Sequence, residues 1–263
     1  MGSSPTRGII KKMYFSTKPK LLKVINENFF RKWNSEMSYV LGYVVADGNI
    51  STRKKAKYNP FILNLTSSEK KHLQRIRKAL NSKHKIGTKP GGSTQNIAYQ
   101  IQISNPKITN DLIRLGIRPR KTYNLSPIKV LERYLPDFIR GYFDGDGTVY
   151  IYKVNKVPQI KSSFGNINFP FIKDLNRRLC RNLAIPLKTI HKERSKDGIR
   201  YVIDFYIDDC KKLAEFMYRD NPILYLPRKR RVFEKWKLIK RRDYIKQNYP
   251  SKIGWYLNQK MLV

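Results

Sequence analysis

The sequence predicts a mixed α/β (α+β) chain of two pseudo-symmetric αββαββα units, their antiparallel sheets forming a β saddle and one helix of each unit packed at the interface. Three observations predict it. First, Val40-Leu-Gly-Tyr-Val-Val-Ala-Asp-Gly48 returns as Ile139-Arg-Gly-Tyr-Phe-Asp-Gly-Asp-Gly147, so that Gly42 and Gly141, like Asp47 and Asp146, stand 99 residues apart; self-similarity at a fixed offset marks a repeated unit. Second, the small residues of each copy fall at i and i+4, Gly42 with Ala46 and Gly141 with Gly145. On a helix they share one face, narrow enough for two backbones to approach closely. Third, the segments after each copy alternate between period-two and helical apolar spacing in the same order.

In chain order, residues 1–33 form a basic leader, broken at Lys18-Pro19, with a short apolar-periodic piece at Leu21, Leu22 and Ile25. Its reading stays open between an arm lying along a polyanion and a tail. The first half is 34–117. Asn34-Ser35-Glu36 offers helix-start chemistry, Ser35 being the expected cap, and the helix stops at Gly48. A basic loop, Arg53-Lys54-Lys55-Ala56-Lys57, precedes a half-buried strand in which Phe61, Leu63 and Leu65 alternate with Ile62, Asn64 and Thr66. Ser67-Ser68-Glu69 opens a helix carrying Leu73, Ile76 and Leu80, and Lys89-Pro90-Gly91-Gly92-Ser93 is a turn between strands. Ile97, Tyr99, Ile101 and Ile103 then alternate with Ala98, Gln100, Gln102 and Ser104, and Asn105-Pro106 starts a helix that stops at Gly116.

A linker, 118–135, is marked by Pro119 and Pro127, and the second half is 136–243. Strands are expected at Thr148 to Lys153 and Gln159 to Phe164, then a helix with Ile172, Leu175 and Leu179, each 99 residues beyond Leu73, Ile76 and Leu80. Tyr201, Ile203 and Phe205 repeat Tyr99, Ile101 and Ile103 at an offset of 102, which a longer loop from His191 to Gly198 accounts for. Helices follow from Asp208 to Tyr218 and from Leu226 to Arg242, the latter very basic, before a tail at 244–263.

Composition narrows the partners. Lys and Arg number 55 against 19 acidic residues, a formal net charge of +36, which favours a nucleic acid with strong salt dependence. A generally basic protein of ribosomal type would share the charge but not the paired Asp-Gly motifs. Cys180 and Cys210 have no CxxC partner and read as buried thiols of a reducing compartment. His72, His84 and His191 are scattered, without zinc-ligand spacing. No apolar run approaches the roughly 20 residues that span a bilayer, and no secretory signal is read; the expectation is an intracellular monomer, in bacterial, archaeal or phage cytoplasm or an organelle, with no membrane partner.

Each motif helix ends at an Asp-Gly, which sets Asp47 and Asp146 side by side at the foot of the seam. Such a pair repels unless a cation sits between. Carboxylate oxygens suit a hard cation such as Mg2+, whose shell phosphates would complete. On the sheet faces away from the helices, Gln100, Gln102, Gln159, Lys161 and Arg200 suit base edges in a major groove, and Arg53, Lys54 and Lys55 suit phosphates.

The two copies resemble the LAGLIDADG signature of homing endonucleases, and their pairing in one chain resembles the single-chain, pseudo-symmetric members. The resemblance runs from about Phe29 to about Glu234. The first copy departs from the nine-residue pattern at Val45, where the second has Asp144, but both keep the metal-binding acid, as Asp47 and Asp146. The resemblance implies LAGLIDADG helices at the interface and a site-specific double-strand DNA endonuclease. It implies Mg2+ at these acids, Mn2+ substituting and Ca2+ binding without efficient cleavage, with the carbonyls of Ala46 and Gly145 as further ligands. It also implies one basic residue per half near the scissile phosphates, best matched by Lys121 and Lys229, with Arg120, Arg228 and Arg230 as rivals. Asn64 and Ser163 occupy strand positions suited to holding water near the acids. Protein-splicing blocks are absent around the motifs, which favours an intron-encoded or free-standing enzyme. Two alternatives remain: an intron RNA maturase on the same fold, and a DNA-binding regulator, which would have no need of both acids.

Overall fold

The computed structural model describes residues 24–53, 60–90, 97–121, 124–195 and 198–239. The elements are α1 (Ser35–Asp47), β1 (Gly48–Thr52), β2 (Phe61–Ser67), α2 (Lys70–Ala79), β3 (Ile86–Pro90), β4 (Ile97–Ile103), α3 (Pro106–Arg114), a 3-10 turn (Glu132–Tyr134), α4 (Leu135–Asp146), β5 (Thr148–Val154), β6 (Val157–Asn166), α5 (Phe169–Leu183), β7 (His191–Ser195), β8 (Gly198–Tyr206), α6 (Ile207–Met217) and α7 (Pro227–Leu238). Two αββαββα units are therefore followed by one further helix. Their antiparallel sheets run β1-β2-β4-β3 and β5-β6-β8-β7, the same order twice.

The core follows the repeat. Leu73, Ile76 and Leu80 are buried, and so are their counterparts Ile172, Leu175 and Leu179. Ile101 and Ile103 on β4 and Ile203 and Phe205 on β8 are buried too, so the alternate residues of these strands form the faces turned away from the helices. Phe29 and Phe30, read from sequence as part of a leader, join this core, and the Asn26 N–H donates to Leu80 O at 3.0 Å.

Three local expectations change. The cap of α1 is Asn34, whose Oδ1 accepts from the Met37 N–H at 2.8 Å. Ser35 instead donates to Asp137 at 2.6 Å and ties α1 to α4. His191 to Ser195, expected as loop, is strand β7. It pairs only with β8 at the sheet edge, so backbone hydrogen bonds rather than buried side chains hold it, and its sequence shows no apolar alternation. The last helix is seen to Leu238, and residues 240–263 lie outside the described residues. The Asn105 cap of α3 stands as expected, accepting from Ile108 at 3.1 Å.

At the seam, α1 and α4 touch backbone to backbone. A methyl group on Gly42 would collide with the carbonyl oxygen of Phe138, one on Gly141 with that of Tyr39, and one on Gly145 with the Ala46 side chain. The terminal glycines are also there for space. Gly48 and Gly147 have ordinary φ of −82° and −72°, but a side chain on either would strike its own helix, at Val44 and Phe143. We expect Gly42→Ala and Gly141→Ala each to lower the thermal midpoint by the equivalent of about 1 to 3 kcal/mol, the usual penalty of an overpacked core. Unchanged midpoints in both would mean that the seam is not closed by these glycines.

Candidate active site

Because α1 and α4 run together to their C-termini, Asp47 and Asp146 meet at the end of the seam. The Asp47 carboxylate lies against Gly145, with Oδ2 3.3 Å from where a Cβ there would be. Its tip reaches solvent and Asp146 is half-buried. Crowding by the seam, then the charge of Asp146, push Asp47 up to about 6, against the pull of Tyr43, Lys229 and Lys121. Asp146 is also raised, by desolvation, against Lys121, Arg200 and Lys229. Two acids that resist ionising together fit a cation between them. Tyr43 and Tyr142 hold the two helices in equivalent positions, donating to Thr66 O at 2.7 Å and to Gly165 O at 3.0 Å.

Lys121 and Lys229 lie beneath the acids, buried, with their ammonium groups on the helix ends. Lys121 Nζ donates to the carbonyls of Val45 and Ala46 at 2.5 and 3.0 Å. Lys229 Nζ donates to those of Phe143, Asp144 and Gly147 at 2.6, 2.9 and 2.5 Å, and reaches Gly145 O at 3.4 Å. Each lysine thus caps the motif helix of its own half, satisfying carbonyls that a helix leaves open and opposing the negative end of its dipole. Burial lowers both lysines, Lys229 to about 8. Of the rival arginines, Arg120 is exposed, Arg228 pairs with Glu69 at 2.9 Å and Arg230 with Glu234 at 2.7 Å.

The donor set fits a hard cation: two carboxylates with the carbonyls of Ala46 and Gly145 beside them, each carbonyl retaining a second lone pair. Among the described residues no group of three or more His, Cys, Asp or Glu gathers to hold a metal, so the two carboxylates depend on backbone carbonyls for further ligands. Asp144, where the two copies differ, does not join the pair. It is buried, and its Oδ2 accepts from Tyr39 of the opposite helix and from the Leu226 N–H, both at 2.7 Å, which makes it a link across the seam.

Of the residues expected at nucleic acid, Gln100, Gln102, Gln159 and Lys161 lie on the open sheet faces, in register with Thr66, Asn64, Tyr152 and Tyr150. Arg53 is exposed at the end of β1, and Lys54 and Lys55 lie outside the described residues. Arg200 has a different position. Its guanidinium covers Gly165, where a side chain would collide with it, and Nη2 stands 3.4 Å from the carbonyls of Asp146 and Gly165. It belongs beside the acids. A signal existed in the sequence, since the repeat pairs Thr66 with Gly165, a strand position emptied in the second half. Asn64 and Ser163 are tied into the sheet faces, to Ser51 at 2.9 Å and to Asp204 at 2.6 Å.

No family model matches the sequence. Over 188 residues the chain is 26% identical to an uncharacterized protein of Methanocaldococcus jannaschii, a match covering 68% of this chain and spanning 60% of that relative's length. Among solved structures, the LAGLIDADG homing endonuclease I-GzeII in complex with its DNA target superposes with a TM-score of 0.56 at 12% identity, covering 87% of this chain and 97% of that one. I-LtrWI, a LAGLIDADG homing endonuclease bound to target DNA, gives 0.52 at 15% identity over 87% and 96% of the two chains. I-DmoI in complex with DNA and Ca gives 0.50 at 20% identity over 76% and 94%. The fold of this chain is the LAGLIDADG homing endonuclease fold.

Two predictions follow from the electrostatics. Lys121→Met and Lys229→Met should each lower the thermal midpoint of the metal-free protein, since each strands buried carbonyls at about 1 to 3 kcal/mol apiece; an unchanged midpoint would leave these lysines no structural role. Asp47 and Asp144 both rise from 3.8 to about 6, so between those values the folded chain binds more protons than the unfolded one. Their contribution to stability is complete below about 4 and is lost as pH rises through about 6. Mg2+ should therefore raise the midpoint more at about pH 8 than at about pH 5, because proton and cation compete for Asp47 and Asp146, both of which are raised. A metal-induced shift independent of pH would remove the acids from the metal site.

Proposed function

We propose that this chain is a divalent-metal-dependent endonuclease that cuts both strands of a long, asymmetric DNA site. The observation that carries the reading is the meeting of Asp47 and Asp146 at the end of a glycine-closed seam, flanked by two open sheet faces on a chain of net charge +36. The duplex would lie across both sheets, with basic residues setting its position and polar strand residues meeting base edges. DNA complexes of I-GzeII and I-LtrWI support this partner; an intron RNA finds no parallel in either. One chain supplies both acids, so a monomer suffices.

Asp47 and Asp146 would hold the cation, Mg2+ or Mn2+, with the carbonyls of Ala46 and Gly145. When bound, such an ion supplies charge neutralisation on the phosphate and an activated water. Lys121 and Lys229 keep the helix ends in place, so the acids do not reorganise as charge develops. Arg200 adds a guanidinium on the Asp146 side, where it can meet a phosphate oxygen.

The test uses duplexes recovered from a random pool by binding in Ca2+, then assayed for cutting in Mg2+. Excess EDTA should abolish cleavage. Asp47→Asn and Asp146→Asn should each abolish double-strand cutting while leaving affinity and its salt dependence near those of the parent protein, since the basic surface dominates affinity. Undiminished cutting by either variant, or in EDTA, would overturn the metal mechanism.

A further inference from the structure

We propose that the two sheets read different base pairs at one pseudo-symmetric position, an A·T pair through Gln102 in the first half and a G·C pair through Lys161 held by Asp204 in the second. The proposal rests on duplex DNA being the ligand. The position is defined by register. Asn64 lies opposite Gln102 on β2 and β4, and Ser163 lies opposite Asp204 on β6 and β8; the offsets of 99 and 102 that relate the halves carry Asn64 to Ser163 and Gln102 to Asp204. The same place in the repeat therefore holds a neutral amide pair in one half and a carboxylate in the other.

In the first sheet, Gln102 Nε2 donates to Asn64 Oδ1 at 3.0 Å, and Asn64 Nδ2 donates to Ser51 Oγ at 2.9 Å. Asn64 is buried and Gln102 exposed, so the inner amide fixes the outer one. Gln102 is left with its Oε1 acceptor and one N–H donor, the complement of adenine N6 and N7. In the second sheet, Asp204 Oδ1 accepts from Ser163 Oγ at 2.6 Å, while Oδ2 meets Lys161 Nζ at 2.7 Å, Tyr206 OH at 3.3 Å and His191 Nε2 at 3.6 Å. A carboxylate on a face that receives a polyanion repels phosphate, and is tolerated there when it is engaged with a cation and turned to bases. Asp204 takes one donor of Lys161 and the Tyr206 hydroxyl engages another, and the donor that remains matches guanine O6 or N7. The counterpart of Lys161 is Ile62, 99 residues earlier, so the first sheet has no charge at this place. Asp204 is a positioning residue, and Lys161 and Gln102 determine specificity.

Selection of the full chain on a random duplex pool in Ca2+, followed by sequencing of the bound sites, tests this. The expected result is an asymmetric site with a G·C preference on one side of the centre and an A·T preference on the other. Lys161→Gln should relax the G·C preference by about tenfold, the low end of the discrimination a base-edge contact supplies, and leave the other half unchanged. Asp204→Asn should act at the same base pair, and Gln102→Ala only in the opposite half. Thermal unfolding of each variant confirms that the protein used is folded. Should Asp204→Asn unfold, Lys161→Gln carries the assignment alone, because a glutamine there can still donate to the Asp204 carboxylate. Enriched sites whose preferences ignore Lys161→Gln and Gln102→Ala would overturn the inference and leave the DNA reading standing. A pool with no enrichment would overturn both.

Discussion

Everything at this site depends on how closely α1 and α4 approach. Gly42 and Gly141 each face a carbonyl oxygen of the opposite helix with no room for a methyl group, so the two backbones run together to their ends. That contact decides where Asp47 and Asp146 stand. It also concentrates negative charge, because two helix C-termini and two carboxylates converge in one place. A protein of net charge +36 thus places two of its acids where each opposes the ionisation of the other.

Lys121 and Lys229 balance this. Both are buried, and both direct their ammonium groups at the last carbonyls of a motif helix. A buried unpaired charge is expensive, so each lysine depends on the helix end as much as the helix end depends on it. The same ammonium groups lower the affinity of the acids for protons, which keeps carboxylate available to a cation. Structural capping and electrostatic tuning are here one interaction.

The halves share a frame and differ in what they hang on it. Val45 and Asp144 occupy equivalent positions, and only Asp144 bonds across the seam, to Tyr39 and to the Leu226 N–H. Gly165 replaces Thr66, and Arg200 fills the space. Asp204 replaces Gln102 and brings Lys161 with it. Two halves joined in one chain are free to diverge, and the last two of these differences lie on the sheet faces that a duplex would meet.

The sequence alone determined the two-unit architecture and the pairing of Asp47 with Asp146, because both rest on local periodicity and on a repeat visible without coordinates. It also located Lys121 and Lys229 by resemblance. Their burial, and the identity of the carbonyls they bond, were decided only in the folded chain, since Lys121 meets Ala46 across 75 residues. Strand β7 was illegible because an edge strand is held by its neighbour's backbone rather than by apolar side chains of its own. Arg200 read as one more polar residue of an open strand face until the fold laid it over Gly165, against the Asp146 carbonyl. Period-two spacing says which face of a sheet a residue occupies. Which long side chain bends along that face toward a neighbour depends on space left by residues far away in sequence, and only tertiary structure sets that.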